Sequence, residues 1–172
     1  MFCDATEAAA PDRKCRATTL VIGLGNPILG DDGVGWAVAE EVVRRIGDGH
    51  QAVEVDCVAL GGLNLMERMV GYDRVVLVDA IVTGRQPTGT TTSFPLHDLP
   101  GNAAGHTASA HDACLKTALA MGHAMGAPLP KAITVVAVES RHVNTFSDRL
   151  SPEVAAAVPV AASLVMDALR SA

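Results

Sequence analysis

Residues 19–46 read TLVIGLGNPILGDDGVGWAVAEEVVRRI, and this stretch decides the fold. Thr19 to Leu24 form a short apolar run broken by a glycine, the pattern of a strand buried on both faces of a parallel sheet. Beyond the loop, Val34, Val38, Val42 and Ile46 recur every four residues, with Glu40, Glu41, Arg44 and Arg45 between them. That spacing puts one apolar stripe on an amphipathic helix. A buried strand feeding a helix through a glycine-rich turn is the first half of a βαβ unit.

The pattern continues in both directions. Val53, Val55 and Cys57 alternate with polar neighbours as a second strand, and Gly61-Gly62 turns into a helix carrying Leu65, Met66, Met69 and Val70. Arg74 to Val82 is the most continuous apolar strand, Thr88 to Phe94 a Thr-rich edge strand, and Gly101 to Gly105 a loop. His111 to about His123 reads as a helix, Ile133 to Val138 as a buried strand, and Pro152 to Leu169 as a closing helix with Pro159 as a possible kink. Strand and helix alternate, so right-handed crossovers and a mostly parallel twisted sheet covered by helices on both faces are expected. Residues 1–17 have no period and read as a loose N-terminal tail; residues 18–172 read as a single α/β domain.

Composition narrows the function. The 172 residues are 49% apolar, enough for a substantial core, and 19 acidic against 13 basic side chains leave a net charge of −6. An acidic chain is a poor match to a phosphate backbone, so no nucleic-acid partner is expected. No run reaches the about 18 apolar residues of a membrane span. The longest, Val154 to Met166, is interrupted by Pro159 and Ser163. The four cysteines (Cys3, Cys15, Cys57, Cys114) show no CxxC pairing, and the start of the chain lacks the basic flank of a signal peptide. A reducing, cytoplasmic setting is the expectation.

In such sheets a ligand sits off the carboxyl ends of the strands, which gives the chemistry-bearing residues a place. The loop GLGNPILGDDGVG has the Gly23-x-Gly25 start of a dinucleotide fingerprint, but Ile28 stands where the third glycine belongs, and no P-loop Gly-Lys-Ser/Thr follows. It offers instead Asp31 and Asp32 at a helix start. One carboxylate there is expected to cap the helix; the second is free for function. Asp79 ends an apolar strand run, where a carboxylate is expensive to bury unless paired or coordinated. Of the six histidines, His50, His97, His123 and His142 lie near turn or helix-end signals and read as solvated. His106 and His111 bracket Thr-Ala-Ser-Ala, and His111 is expected to open a helix on the edge that Asp32 occupies. Two carboxylates and an imidazole there suit a borderline divalent metal such as zinc or nickel, or acid–base work at a peptide-like bond. Cys114, one turn after His111, could serve as a nucleophile, though we read it as a small apolar group.

The segments GLGNPILGDDGVG (23–35), VVLVDAIVTG (75–84), SAHD (109–112) and Leu150-Ser-Pro152, in this order, resemble the hydrogenase maturation endopeptidases, which trim the C-terminus of the large subunit of nickel–iron hydrogenases. The resemblance spans nearly all of residues 19–170. It implies an α/β fold and an aspartyl-type endopeptidase whose catalytic and metal-contacting residues are Asp32, Asp79 and His111. It also implies a partner, the hydrogenase large-subunit precursor, whose own nickel those residues contact as a check on insertion; a permanently enzyme-bound metal stays open. Relatives often carry Glu where Asp32 stands, one methylene longer. Two other readings share features of the chain. A non-enzymatic nickel-sensing chaperone would use the same triad, and peptidyl-tRNA hydrolases also begin with a strand and GLGNP, but resemble this chain no further.

Overall fold

The computed structural model describes residues 18–47, 52–99 and 107–171. The tail read at 1–17 and the loop read at 101–105 lie outside them. The elements follow the order β1 (Thr19–Leu24), α1 (Val34–Ile46), β2 (Val53–Val58), α2 (Gly62–Met69), β3 (Arg74–Ile81), β4 (Thr91–Pro95), α3 (Thr107–Ala124), β5 (Ala132–Glu139) and α4 (Pro152–Arg170). The five strands form one sheet in the order β2-β1-β3-β5-β4. All neighbours are parallel except β4, which runs antiparallel to β5 along the edge.

The apolar runs of β1, β3 and β5 are continuous because both faces of the sheet are covered, and the strand period of two divides them. Leu20, Ile22, Val75, Leu77, Val135 and Ala137 point to one face, where they pack with Leu65 and Met69 of α2 and Leu115 and Leu119 of α3. Val21, Val76, Val78, Val136 and Val138 point to the other, against Val38 and Val42 of α1 and Val154, Ala161 and Val165 of α4. Strand β2 alternates because it is an edge and only half-buried. Its outer carboxylates are tied down by α2 and the turn after it. Arg68 pairs with Glu54 and donates to Asp56 Oδ2 at 2.6 Å, while the Tyr72 hydroxyl donates to Glu54 Oε2 at 2.6 Å. That hydroxyl, with Arg68, holds the Glu54 carboxyl below its ordinary range.

One expectation about helices changes. Helix α3 begins four residues before His111, so His111 lies in its second turn and does not open it. Pro159, read as a possible kink, lies inside the continuous α4, and its carbonyl accepts hydrogen bonds from Arg45 (3.0 Å) and the Ser163 hydroxyl (2.9 Å). Length and composition alone would let α4 cross a membrane. Its Val154, Ala157, Ala161, Ala162 and Val165 are nonetheless buried in the core of this fold.

Gly35, in the first turn of α1, sets how closely that helix approaches the sheet. A Cβ there would stand 2.2 Å from the Leu24 carbonyl oxygen and 2.6 Å from that of Val78. Both obstacles are strand backbone and cannot swing aside. Gly35→Ala is therefore expected to lower stability by about 2 kcal/mol or more, read as a fall in melting temperature; an unchanged melting curve would show that α1 is not seated on β1 and β3 as described.

Candidate functional site

Helix α1 leads from β1 to β2 on one side, and α2 carries the chain back across β1 to β3 on the other face of the sheet. The chain thus reverses its direction of travel between β1 and β3, and open α/β sheets bind ligands in the crevice that opens at such a point, off the strands' carboxyl ends. Asp32 lies in the turn that follows β1, and Asp79 is the sixth residue of the eight in β3. The crevice therefore has a carboxylate on each of its two strands' exits. Asp79 is 9% exposed, and strand alternation turns it to the face of Val75 and Leu77, the face that α3 covers. Helix α3 feeds β5 at the amino edge of the sheet, so its opening turns stand at the carboxyl edge, above Asp79's face.

Glycines shape the Asp32 turn. Gly25 has φ +121°, and a Cβ on it would come within 1.8 Å of the Asp32 carbonyl oxygen. The loop thus folds back on itself, and the Asn26 N–H donates to Asp32 Oδ2 at 2.7 Å. That bond aims the half-buried Asp32 carboxylate.

Neither aspartate caps a helix, contrary to the sequence expectation. Asp31 is fully buried and reaches across to the loop between β5 and α4. Its Oδ1 accepts the Ser151 N–H at 2.7 Å; its Oδ2 accepts the Ser151 hydroxyl at 3.1 Å and the His142 N–H at 3.3 Å. The Asp31 N–H donates back to the His142 carbonyl at 3.2 Å. With both oxygens engaged at long range in sequence, Asp31 ties the β1–α1 turn to the start of α4, whereas Asp32 is half-buried and bonded within its own turn.

His111 belongs to α3 by its backbone, but its side chain, like that of Cys114, lies outside the described residues. Among the described residues no three His, Cys, Asp or Glu side chains form a metal-holding group. The carboxylates of Asp32 and Asp79 are hard oxygen groups of the kind that could hold a divalent cation. His97, His123 and His142 are exposed, as expected of solvated histidines, while His50 and His106 lie outside the described residues. Cys57 is a free thiol at the exit of β2, and burial together with the Glu40 and Asp56 carboxylates pushes its pKa up, the opposite of an activated nucleophile.

Sequence reasoning missed Glu139. It is 5% exposed and ends β5 as Asp79 nears the end of β3. Its carboxylate accepts hydrogen bonds from the Thr83 N–H (2.9 Å), the Thr83 hydroxyl (2.7 Å) and the Gly84 N–H (2.8 Å). The signal was present: an acid closing the apolar run Val135 to Val138 is the same pattern that singled out Asp79. A cavity of about 580 Å³ lined by Ile46, Val53, Met166 and Leu169 lies at the opposite, amino edge of the sheet, away from both carboxylates.

The family model for hydrogenase maturation proteases matches residues 36–168. The chain belongs to the hydrogenase maturation protease family. Membership makes it a protease, hence a hydrolase. The match includes the positions of Asp79 and His111 and begins after Asp32, so Asp32 stands on the geometry of its turn. The hydrogenase 2 maturation protease of Escherichia coli is 28% identical over 153 residues, covering 88% of this chain and 90% of that protein. Among solved structures, the hydrogenase-maturating endopeptidase HybD of E. coli superposes with a TM-score of 0.72 at 27% identity, covering 89% of this chain and 92% of the other. The hydrogenase 2 maturation peptidase of a Thaumarchaeota archaeon superposes with a TM-score of 0.61 at 25% identity, covering 88% and 97%. The helix-covered, mostly parallel sheet is thus the fold of this family.

Proposed function

We propose that this protease removes a short C-terminal peptide from the nickel-loaded precursor of a nickel–iron hydrogenase large subunit, with Asp32, Asp79 and His111 contacting nickel held by the precursor. The observation that carries the reading is the pair of carboxylates on the two strand exits of the β1/β3 crevice, beneath the opening turns of the helix that bears His111. Two carboxylates and one imidazole are too few ligands to close a structural site, and they leave room for groups that arrive with the substrate. Nickel accepts such a mixed oxygen and nitrogen set. On this reading the metal is cargo: its presence completes the contact between enzyme and precursor and lets cleavage proceed. The free Cys57 thiol is compatible with a reducing compartment, and we place the reaction in the cytoplasm.

The test is one large-subunit precursor prepared with and without nickel, incubated with the protein and followed by mass. The nickel-loaded form is expected to lose its C-terminal peptide, and the nickel-free form to bind weakly and stay intact. Equal cleavage of both forms would remove the nickel check. Tight binding of the loaded form with no change in mass would make the protein a nickel-sensing chaperone instead of a protease toward this substrate.

A further inference from the structure

Resting on the reading of a hydrogenase precursor as substrate, we infer that Glu139 is a positioning residue that anchors the 82–90 loop as a rigid rest for the precursor segment presented to Asp79. The topology dictates where that loop runs. Strand β3 ends at the carboxyl edge, and β4, antiparallel to β5, begins there on the far side of β5. The connection therefore crosses the carboxyl end of β5, where Glu139 is the last residue. Ile81 is the register partner of Glu139, and Asp79 that of Ala137. By strand alternation Asp79, Ile81 and Glu139 share the α3 face, so Glu139 lies diagonally across from Asp79, two residues further along the neighbouring strand.

Glu139 grips the loop at both ends. Its carboxylate takes the Thr83 N–H, the Thr83 hydroxyl and the Gly84 N–H at 2.7–2.9 Å. Its carbonyl accepts the Gly89 N–H and its own N–H donates to the Thr90 carbonyl, both at 2.8 Å. The Thr83 hydroxyl in turn accepts the Arg85 N–H at 3.1 Å, so the chain of bonds reaches the exposed tip that carries Arg85 and Gln86. Beyond, Gly89 (φ +85°) lies so close to α4 that a Cβ would stand 2.6 Å from the Glu153 carbonyl oxygen. A loop held at both feet, with an exposed polar tip beside a buried carboxylate, is preorganised to receive an extended peptide. With both carboxylate oxygens occupied by the loop, Glu139 acts through it and not on the substrate.

The experiment compares wild type, Glu139→Ala and Glu139→Gln. Precursor affinity, turnover at saturating nickel-loaded precursor and amide hydrogen exchange of residues 83–90 are measured together. Glu139→Ala is expected to speed exchange at Thr83 and Gly84 by about tenfold or more. It should weaken precursor binding by about tenfold, with saturated turnover within about threefold of wild type. Glu139→Gln is expected to restore most of the affinity, because the amide oxygen can accept both backbone N–H groups while the Thr83 hydroxyl reverses to accept from the amide. Should Glu139→Ala lose cooperative unfolding, Glu139→Asp decides the matter, since its carboxylate is one methylene too short for the cradle and the same weakening is expected. Unchanged affinity once the loop exchanges freely, or a loss confined to saturated turnover, would overturn the positioning role. Wild type that binds the precursor without cutting it would sink the protease reading toward this substrate alone, leaving Glu139 to be judged by affinity and exchange. Wild type that does not bind the precursor would sink both.

Discussion

Asp79→Asn is expected to abolish precursor cleavage, by about a hundredfold or more, while the melting temperature stays within a few degrees of wild type. The substitution keeps the shape of a side chain that is 9% exposed on β3 and removes only its charge and its second acceptor oxygen. If the carboxylate serves the crevice and not the core, the core does not register the change. Its neighbours on the α3 face, Leu77 and Ile81, supply the apolar contacts that hold that stretch of strand. His111→Ala, in the second turn of α3, is expected to give the same phenotype: precursor accumulates, and far-ultraviolet dichroism and the unfolding transition are retained. A folded, fully active Asp79→Asn variant would remove the carboxylate from the chemistry. Loss of cooperative unfolding in either variant would show a structural residue where we place a functional one.

The adjacent aspartates Asp31 and Asp32 are expected to separate stability from activity. Asp31→Ala removes the fully buried acceptor of the Ser151 and His142 N–H groups and of the Ser151 hydroxyl, and a hydrogen bond to a charged group is worth about 1.5–3 kcal/mol. The combined loss of about 2–4 kcal/mol corresponds to a fall of roughly 5–15 °C in melting temperature for a domain of this size. It should also loosen the link between the β1–α1 turn and the start of α4. Asp32→Asn is expected to leave the melting curve nearly unchanged, because its amide oxygen can still accept the Asn26 N–H, and to weaken engagement of the nickel-loaded precursor. Asp32→Glu, which keeps the charge and adds one methylene, should keep appreciable activity. Thermal unfolding and cleavage on the same preparations make the comparison. A stable, inactive Asp31→Asn beside a fully active Asp32→Asn would reverse the two assignments.

Much of this molecule was legible in the sequence, because its strongest signals are local. Burial of β1, β3 and β5 on both faces forces continuous apolar runs, and α1 needs a four-residue apolar repeat to lie on a sheet, so element type and order follow from spacing alone. The place of Asp79 was legible for the same reason: the acid that ends the apolar run lies buried near the carboxyl end of β3. Helix ends were less so. The true start of α3 at Thr107 precedes His111 by four residues, within a run of small residues that carries no period. Pro159 was legible only as an interruption of the apolar run, and α4 continues on both sides of it.

What only the tertiary structure decided lies in contacts between residues far apart in the chain. Asp31 and Asp32 are chemically identical neighbours, and no local rule separates them. They diverge because Ser151 and His142, more than a hundred residues away, meet Asp31, while the tight return at Gly25 brings the Asn26 N–H to Asp32. Glu139 acquires its place only when the strand order β3-β5-β4 sends the 82–90 loop over the end of β5. The crevice itself is a product of that order, since it opens where β1 and β3 part. Periodicity reports which side of an element faces the core; which polar group meets which partner depends on how the strands are ordered and how closely the glycines let the helices approach.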